Sequence, residues 1–303
     1  MGDCKELSKA EGSRGFDRAG CKLAAFDLDE TLLHRSRMAK ETVFALQRLK
    51  QSGITLAIAT GRGLPCVPKE LFELSCFDYA LSANGACVSE LSTGRVLHRF
   101  PIAPELAVRA VECIRRHGGL GGAFLESCML IPRSSMRRMF RDTDPDIRHF
   151  LSAQFEAAAR LTFRFAHSLK KSGEPIFKLN AFFETEEDCR CALEELKGMG
   201  GLLPLTTRGD DLEITAAGVS KAVGLNVLCK HLNIEPAQCI AFGDSHNDLE
   251  LLQAAGCAVA MGNAAIEVKQ AADFIAPTAE QNGCARAIER LFFDKGLDSS
   301  CHI

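Results

Sequence analysis

The chain has 303 residues, 47% hydrophobic and 25% charged, an ordinary globular composition with apolar material for one large or two average domains. A formal charge of -3 argues against a basic polyanion binder, so no nucleic-acid partner is expected, and no apolar run nears the roughly 18 residues of a membrane span. Fourteen scattered cysteines, with no C-x-x-C pair and no apolar leader, read as free thiols of a reducing, cytoplasmic compartment.

Residues 1–20 are polar and read as a flexible extension. Residues 22–26 form a short apolar run that stops at Asp27, the pattern of a buried strand. Val43, Leu46 and Leu49 recur at helical spacing up to Gly53. A second strand, 54–59, ends in Thr60-Gly61-Arg62, and a third, 79–81, precedes Asn84-Gly85. The alternation implies right-handed crossovers and a parallel sheet.

The middle of the chain differs. A helix over 104–117 and two short strands around 124–131 precede a basic segment. A strand over 176–183, a helix over 185–197 and strands at 202–205 and 212–214 follow. Short strands mixed with helices predict an inserted α+β unit with an antiparallel sheet. Residues 133–171 carry nine Lys or Arg against four acids, which is either a solvated face or a surface turned to an anionic substrate. From Ser220 the α/β rhythm returns: a capped helix to about 231, strand 239–242 ending in Gly243-Asp244, helix 249–254, strand 257–260, a helix from 264, strand 274–276 and a last helix over 283–293. The expected organisation is an α/β, doubly wound, Rossmann-like core over 21–86 and 208–293, an α+β cap over 87–207 and a tail over 294–303. The tail ends in Cys301-His302-Ile303, a distant variant of a peroxisomal address and an alternative to the cytoplasm.

Asp27, Thr60 and Asp244 each close an apolar strand, and in open parallel sheets ligands bind outside the carboxyl ends of the strands. Asp27 and Asp29, two apart, can serve one centre as nucleophile and proton carrier. Asp244 and Asp248, four apart, can hold a hard cation through oxygen. Thr60 offers a hydroxyl to a phosphoryl oxygen, and Lys221 at a helix start an ammonium.

In this order the segments resemble the haloacid dehalogenase superfamily. They are Asp27-Leu28-Asp29-Glu30-Thr31, Thr60-Gly61-Arg62, Lys221 and Gly243-Asp244-Ser245-His246-Asn247-Asp248. Asn84-Gly85-Ala86, Gly218-Val219-Ser220-Lys221, Met261-Gly262-Asn263-Ala264 and Asn282-Gly283 look like the Cof-type branch with its large α+β cap; Glu30 stands where that branch most often has Gly. The resemblance covers residues 22–293. It implies Asp27 as nucleophile and Asp29 as general acid and base. Mg2+ would be held by the Asp27 carboxylate, the Asp29 carbonyl and Asp244, with Asp248 in support. Thr60, Gly61 and Lys221 would bind the phosphoryl group, and Asn247 would help position Lys221 or the substrate. Arg62, His34 and His246 are read as structural. The implied activity is a phosphatase of small phosphorylated metabolites, acting as monomer or homodimer. A phosphomutase with the same intermediate and a non-catalytic phosphate-binding module are the alternatives.

Overall fold

The computed structural model describes residues 8, 9, 14, 17–135, 158–206 and 209–294. Two sheets organise them. The strands in chain order are β1 (Ser8–Lys9), β2 (Leu23–Phe26), β3 (Thr55–Ala59), β4 (Tyr79–Ser82), β5 (Cys87–Glu90), β6 (Val96–Arg99), β7 (Leu120–Leu125), β8 (Met129–Pro132), β9 (Ala159–Thr162), β10 (Ile176–Phe182), β11 (Leu202–Leu205), β12 (Asp211–Ala216), β13 (Cys239–Gly243), β14 (Cys257–Ala260) and β15 (Phe274–Ile275).

The first sheet runs β1-β15-β14-β13-β2-β3-β4-β5-β6. From β15 to β4 every neighbouring pair is parallel. The chain winds from β2 towards β4 on one side and from β13 towards β15 on the other, so the switch point lies between β2 and β13. β2, β4, β13 and β14 are buried at every residue, as a parallel sheet covered by helices on both faces requires. Lys40–Gln51 turns Thr42, Ala45, Leu46 and Leu49 inwards, the spacing of one helical face. Phe26 and Phe242 stack between adjacent strands with ring centroids 4.7 Å apart.

The second sheet runs β11-β12-β10-β7-β8-β9, antiparallel except for the parallel pair β8/β9. One of its faces packs against the helices Pro104–Arg116 and Glu186–Gly198, with Leu179, Ala181, Ala192 and Leu196 in a common cluster.

The expected cap bounds of 87–207 shift at both ends. β5 and β6 pair antiparallel beyond β4 and extend the core sheet, so the chain leaves the core after Arg99 instead of near Cys87. β12 still belongs to the second sheet, so the return falls beyond Ala216 instead of near Thr207, which itself lies outside the described residues. The described part of the 1–20 extension is docked: β1 pairs antiparallel with β15, and Arg14 donates to the buried Asp273 carboxylate at 2.7 Å from its backbone and 3.0 Å from Nη2. Arg137, Arg138, Arg141 and Arg148 of the basic segment and the Cys301-His302-Ile303 tail lie outside the described residues, while Arg133 rests over the Phe163 ring at 4.8 Å. No helix among the described residues is long and apolar enough to cross a membrane. The described cysteines are all free thiols, most of them buried.

Candidate active site

The switch point collects the carboxylates. Asp27 follows β2 directly, and its N–H donates to the Phe242 carbonyl at 2.9 Å, carrying the ladder one step past the strand. Its side chain therefore leaves the sheet at a fixed height beside the end of β13. Lys221 opens the helix Lys221–Leu232, whose Ser220 cap accepts from the Val223 N–H. That start lies against the loop after β4 because residue 85 is glycine. A Cβ there would meet the Ser220 carbonyl oxygen at 2.3 Å, and the backbone stands at φ +87°.

Lys221 is fully buried, and its Nζ donates to Asp27 Oδ1 and Asp248 Oδ1, both at 2.6 Å. Asp248 folds back under β13: its Oδ2 accepts from the Asp244 and Ser245 N–H groups, each at 3.1 Å. Glycine at 243 makes that possible, since a Cβ would meet the Asp248 carboxyl carbon at 2.6 Å. Asp248 is thus saturated by protein donors. Among the described residues Asp244 accepts only long bonds, 3.4 Å from Thr31 Oγ1 and 3.3 Å from Asn263 Nδ2. One carboxylate oxygen each from Asp27, Asp244 and Asp248 lies within 4.8 Å of the others.

Two buried carboxylates and a third, half-buried one around one ammonium leave an excess of negative charge. Burial pushes the Asp27 carboxyl well above the usual carboxylate range, with Lys221 opposing and Asp248 and Asp244 reinforcing the rise. Burial and then the Asp248 charge push Asp244 up to about 7, against the pull of Lys221. Burial alone would lower the Lys221 pKa, but the Asp248 and Asp27 carboxylates outweigh it and hold the value above its ordinary one.

Thr60 is buried, its Oγ1 accepting from the Arg62 N–H at 3.1 Å. Asn247 Nδ2 donates to Asn84 Oδ1 at 3.1 Å, and a Cβ on Gly61 would lie 3.0 Å from that Asn84 oxygen and 3.6 Å from Asn247 Nδ2. The expected residues Asp27, Thr60, Gly61, Lys221, Asp244, Asn247 and Asp248 thus line one edge of the sheet. Asp29 belongs to the same loop, but its carboxylate is turned into a bidentate pair with buried Arg62, 2.9 Å from Nε and 2.5 Å from Nη2. Arg62 thus holds the carboxylate expected to carry the proton. Glu30 takes φ 57°, where glycine is at ease; its side chain is tied to His34 Nδ1 at 2.9 Å. His246 faces solvent at 3.8 Å from Glu267.

A carboxylate cluster around a buried ammonium, at the switch point of a doubly wound sheet and beneath an α+β cap, defines a capped α/β hydrolase. The chain belongs to the haloacid dehalogenase-like hydrolases, whose family model matches residues 24–288. It is 26% identical to the phosphatase YwpJ of Bacillus subtilis over 284 residues, 89% of this chain and 99% of that protein. It is 30% identical to an HMP-PP phosphatase of Yersinia pestis over 258 residues, 82% of this chain and 86% of the relative. A haloacid dehalogenase-like hydrolase from Bacteroides thetaiotaomicron superposes with a TM-score of 0.76 at 27% identity, covering 90% of this chain and all of that one. Together the family and these relatives make the chain a phosphatase.

Proposed function

We propose that this enzyme is a Mg2+-dependent phosphatase of small phosphorylated metabolites that works through an aspartyl-phosphate on Asp27. The observation that carries the proposal is Asp27 at the switch point, held by Lys221 and within 4.8 Å of the Asp244 and Asp248 oxygens. The names of relatives, HMP-PP phosphatases among them, support a small phosphorylated substrate.

The donor set fits Mg2+, because it offers hard oxygens alone and more negative charge than Lys221 balances. Asp27, the Asp29 carbonyl and Asp244 would hold the ion. Asp248, with both oxygens already engaged, would fix Lys221 and the loop behind it. Bound there, Mg2+ would offset the charge of the phosphoryl oxygens.

An Asp27 oxygen forms a bond to phosphorus while the bond to the leaving oxygen breaks, and Asp29, once released from its pair with Arg62, gives that oxygen a proton. Asp29 then takes a proton from water as the water oxygen bonds to phosphorus and the Asp27–phosphorus bond breaks, freeing phosphate and restoring both carboxyl groups. Thr60, the Gly61 backbone and Lys221 bind the phosphoryl oxygens in both halves. The second sheet, joined to the core by two connections beyond Arg99 and Ala216, acts as a lid over the bound substrate.

The test is phosphate release from a panel of sugar phosphates, nucleotides and cofactor phosphates. Turnover should vanish with excess chelator and return with Mg2+. Asp29→Asn should lose about 10²- to 10⁴-fold in kcat, the share of a positioned acid and base. Full turnover in chelator, or no release from any member of the panel, contradicts the proposal.

A further inference from the structure

The open face of the cap sheet brings a buried cation to the phosphoryl loop. Lys178 lies on β10 directly opposite Phe124 of β7, and its Nζ stands 4.9 Å from the centroid of that ring. Its side chain is only 2% exposed. The next residue along β10, Leu179, turns the other way, into the helix-packed cluster. Lys178 and Phe124 therefore look at the core. Phe124 presses on the core loop, since a Cβ on Gly63 would meet its ring at 2.7 Å. Two residues earlier, a Cβ on Gly61 would stand 3.4 Å from Lys178 Nζ.

Glu213 of β12 holds this ammonium. Its Oε1 accepts from Lys178 Nζ at 2.7 Å, and its Oε2 accepts from Asn84 Nδ2 at 2.6 Å. Asn84 in turn accepts from Asn247 of the core site. A chain of polar contacts thus runs from the cap, through Asn84, into the loop that carries Asp244 and Asp248. An ammonium has three N–H donors, and Glu213 is the one hydrogen-bond acceptor that Lys178 has among the described residues. A buried donor left unmatched is costly, and the remaining donors lie beside the Thr60-Gly61-Arg62 loop.

We infer that Lys178 is a substrate-contacting residue: the cap supplies its ammonium to an oxygen of the phosphate ester at Gly61, and Glu213 sets its position. This rests on the placement of the phosphoryl group given above, and it adds a ligand from the cap to a set drawn otherwise from the core. Glu213 also neutralises Lys178, so each member of the pair has its own signature. Removing the ammonium weakens anion binding, whereas removing the carboxylate charge and keeping the side chain strengthens it.

The test is binding of orthophosphate in the presence of Mg2+, followed by calorimetry, beside KM and kcat for para-nitrophenyl phosphate. Lys178→Met should weaken orthophosphate and raise KM by about 10- to 100-fold, the share of a charge-assisted hydrogen bond, with a smaller change in kcat. Glu213→Gln should bind orthophosphate more tightly than the wild type. Unchanged orthophosphate affinity in a folded Lys178→Met overturns the inference. So does an equal loss in both variants, which would make the pair a structural strut between cap and core. If Lys178→Met does not fold, Glu213→Gln decides by the sign of its change. A wild-type chain that binds orthophosphate and hydrolyses no ester would refute the proposed function and leave this binding test intact.

Discussion

Replacing Lys221 by Met removes the charge at the centre of the site while keeping most of the side-chain volume. In the wild type the ammonium is fully buried and 2.6 Å from each of two carboxylate oxygens, on Asp27 and Asp248. Asp248 is also fully buried and Asp27 nearly so. Lys221→Met leaves both carboxylates without their counter-charge in a site of low polarity. Removing one partner of a buried ion pair costs about 3–5 kcal/mol, which corresponds to a fall of about 6–20 °C in Tm for a chain of this size class. The assay is thermal unfolding followed by calorimetry in chelator, so that no divalent ion masks the loss. Lys221→Met combined with Asp248→Asn separates orphaned charge from lost packing. The amide takes away one uncompensated charge, and its oxygen can still accept from the Asp244 and Ser245 N–H groups. The double variant should recover at least about 1 kcal/mol relative to the sum of the two single losses, as coupled neighbours do. A fall of less than about 2 °C, or a double variant that loses the full sum, would refute the electrostatic account of this centre.

Three further outcomes follow from particular contacts. Gly85→Ala drives a Cβ to 2.3 Å from the Ser220 carbonyl oxygen at φ +87°, so the start of the Lys221 helix must move. We expect a stability loss above about 1 kcal/mol together with a fall in kcat/KM of about 10-fold or more, read by unfolding and phosphate release; a wild-type rate would show that Lys221 does not depend on this approach. Burial works against the Asp273 charge, but the Arg14 side chain and backbone and the Ala258 N–H hold its carboxyl below the usual carboxylate range. Its contribution is therefore present above an unfolded pKa of about 4 and is lost as pH falls through the folded value, so Arg14→Ala should cost about 1–2 kcal/mol at pH 7 and less as the solution is acidified below about 4. A cost that does not change with pH would assign the loss to the backbone pairing of the extension instead. Glu30→Gly relieves a left-handed residue of about 1 kcal/mol and loses the exposed His34 pair, so stability should rise or stay level; a marked fall in Tm would give the Glu30–His34 pair a larger role than its exposure suggests.

The core was legible because parallel strands buried on both faces read as unbroken apolar runs. The expected strand 257–260 and helix 249–254 end at the residues where β14 and the helix Leu249–Ala254 end. Three of these runs lead into a polar residue, which is why Asp27, Thr60 and Asp244 could be singled out. β5 and β6 were missed because β6, Val-Leu-His-Arg, is half-buried or exposed throughout and carries no periodic apolar signal; only its pairing with β5 makes it a strand. The hold of Arg62 on Asp29 could not be read from spacing, since the two stand 33 residues apart and on different strand ends. Lys178 left a faint trace, the one cation in a strand whose other residues are apolar except Asn180. A buried strand tolerates such a residue only with a partner, and Glu213 comes from 35 residues away.

The most direct test of the central claim is to trap the covalent intermediate. The enzyme is mixed with a hydrolysed phosphomonoester and Mg2+ and quenched in acid during the first turnover. Borohydride reduction then converts an acyl phosphate to homoserine, and the digest is read by mass spectrometry. The account predicts homoserine in place of Asp27 and at no other aspartate, with none formed in Asp27→Asn. Homoserine at Asp29 or Asp244, or rapid phosphate release by Asp27→Asn, would contradict it.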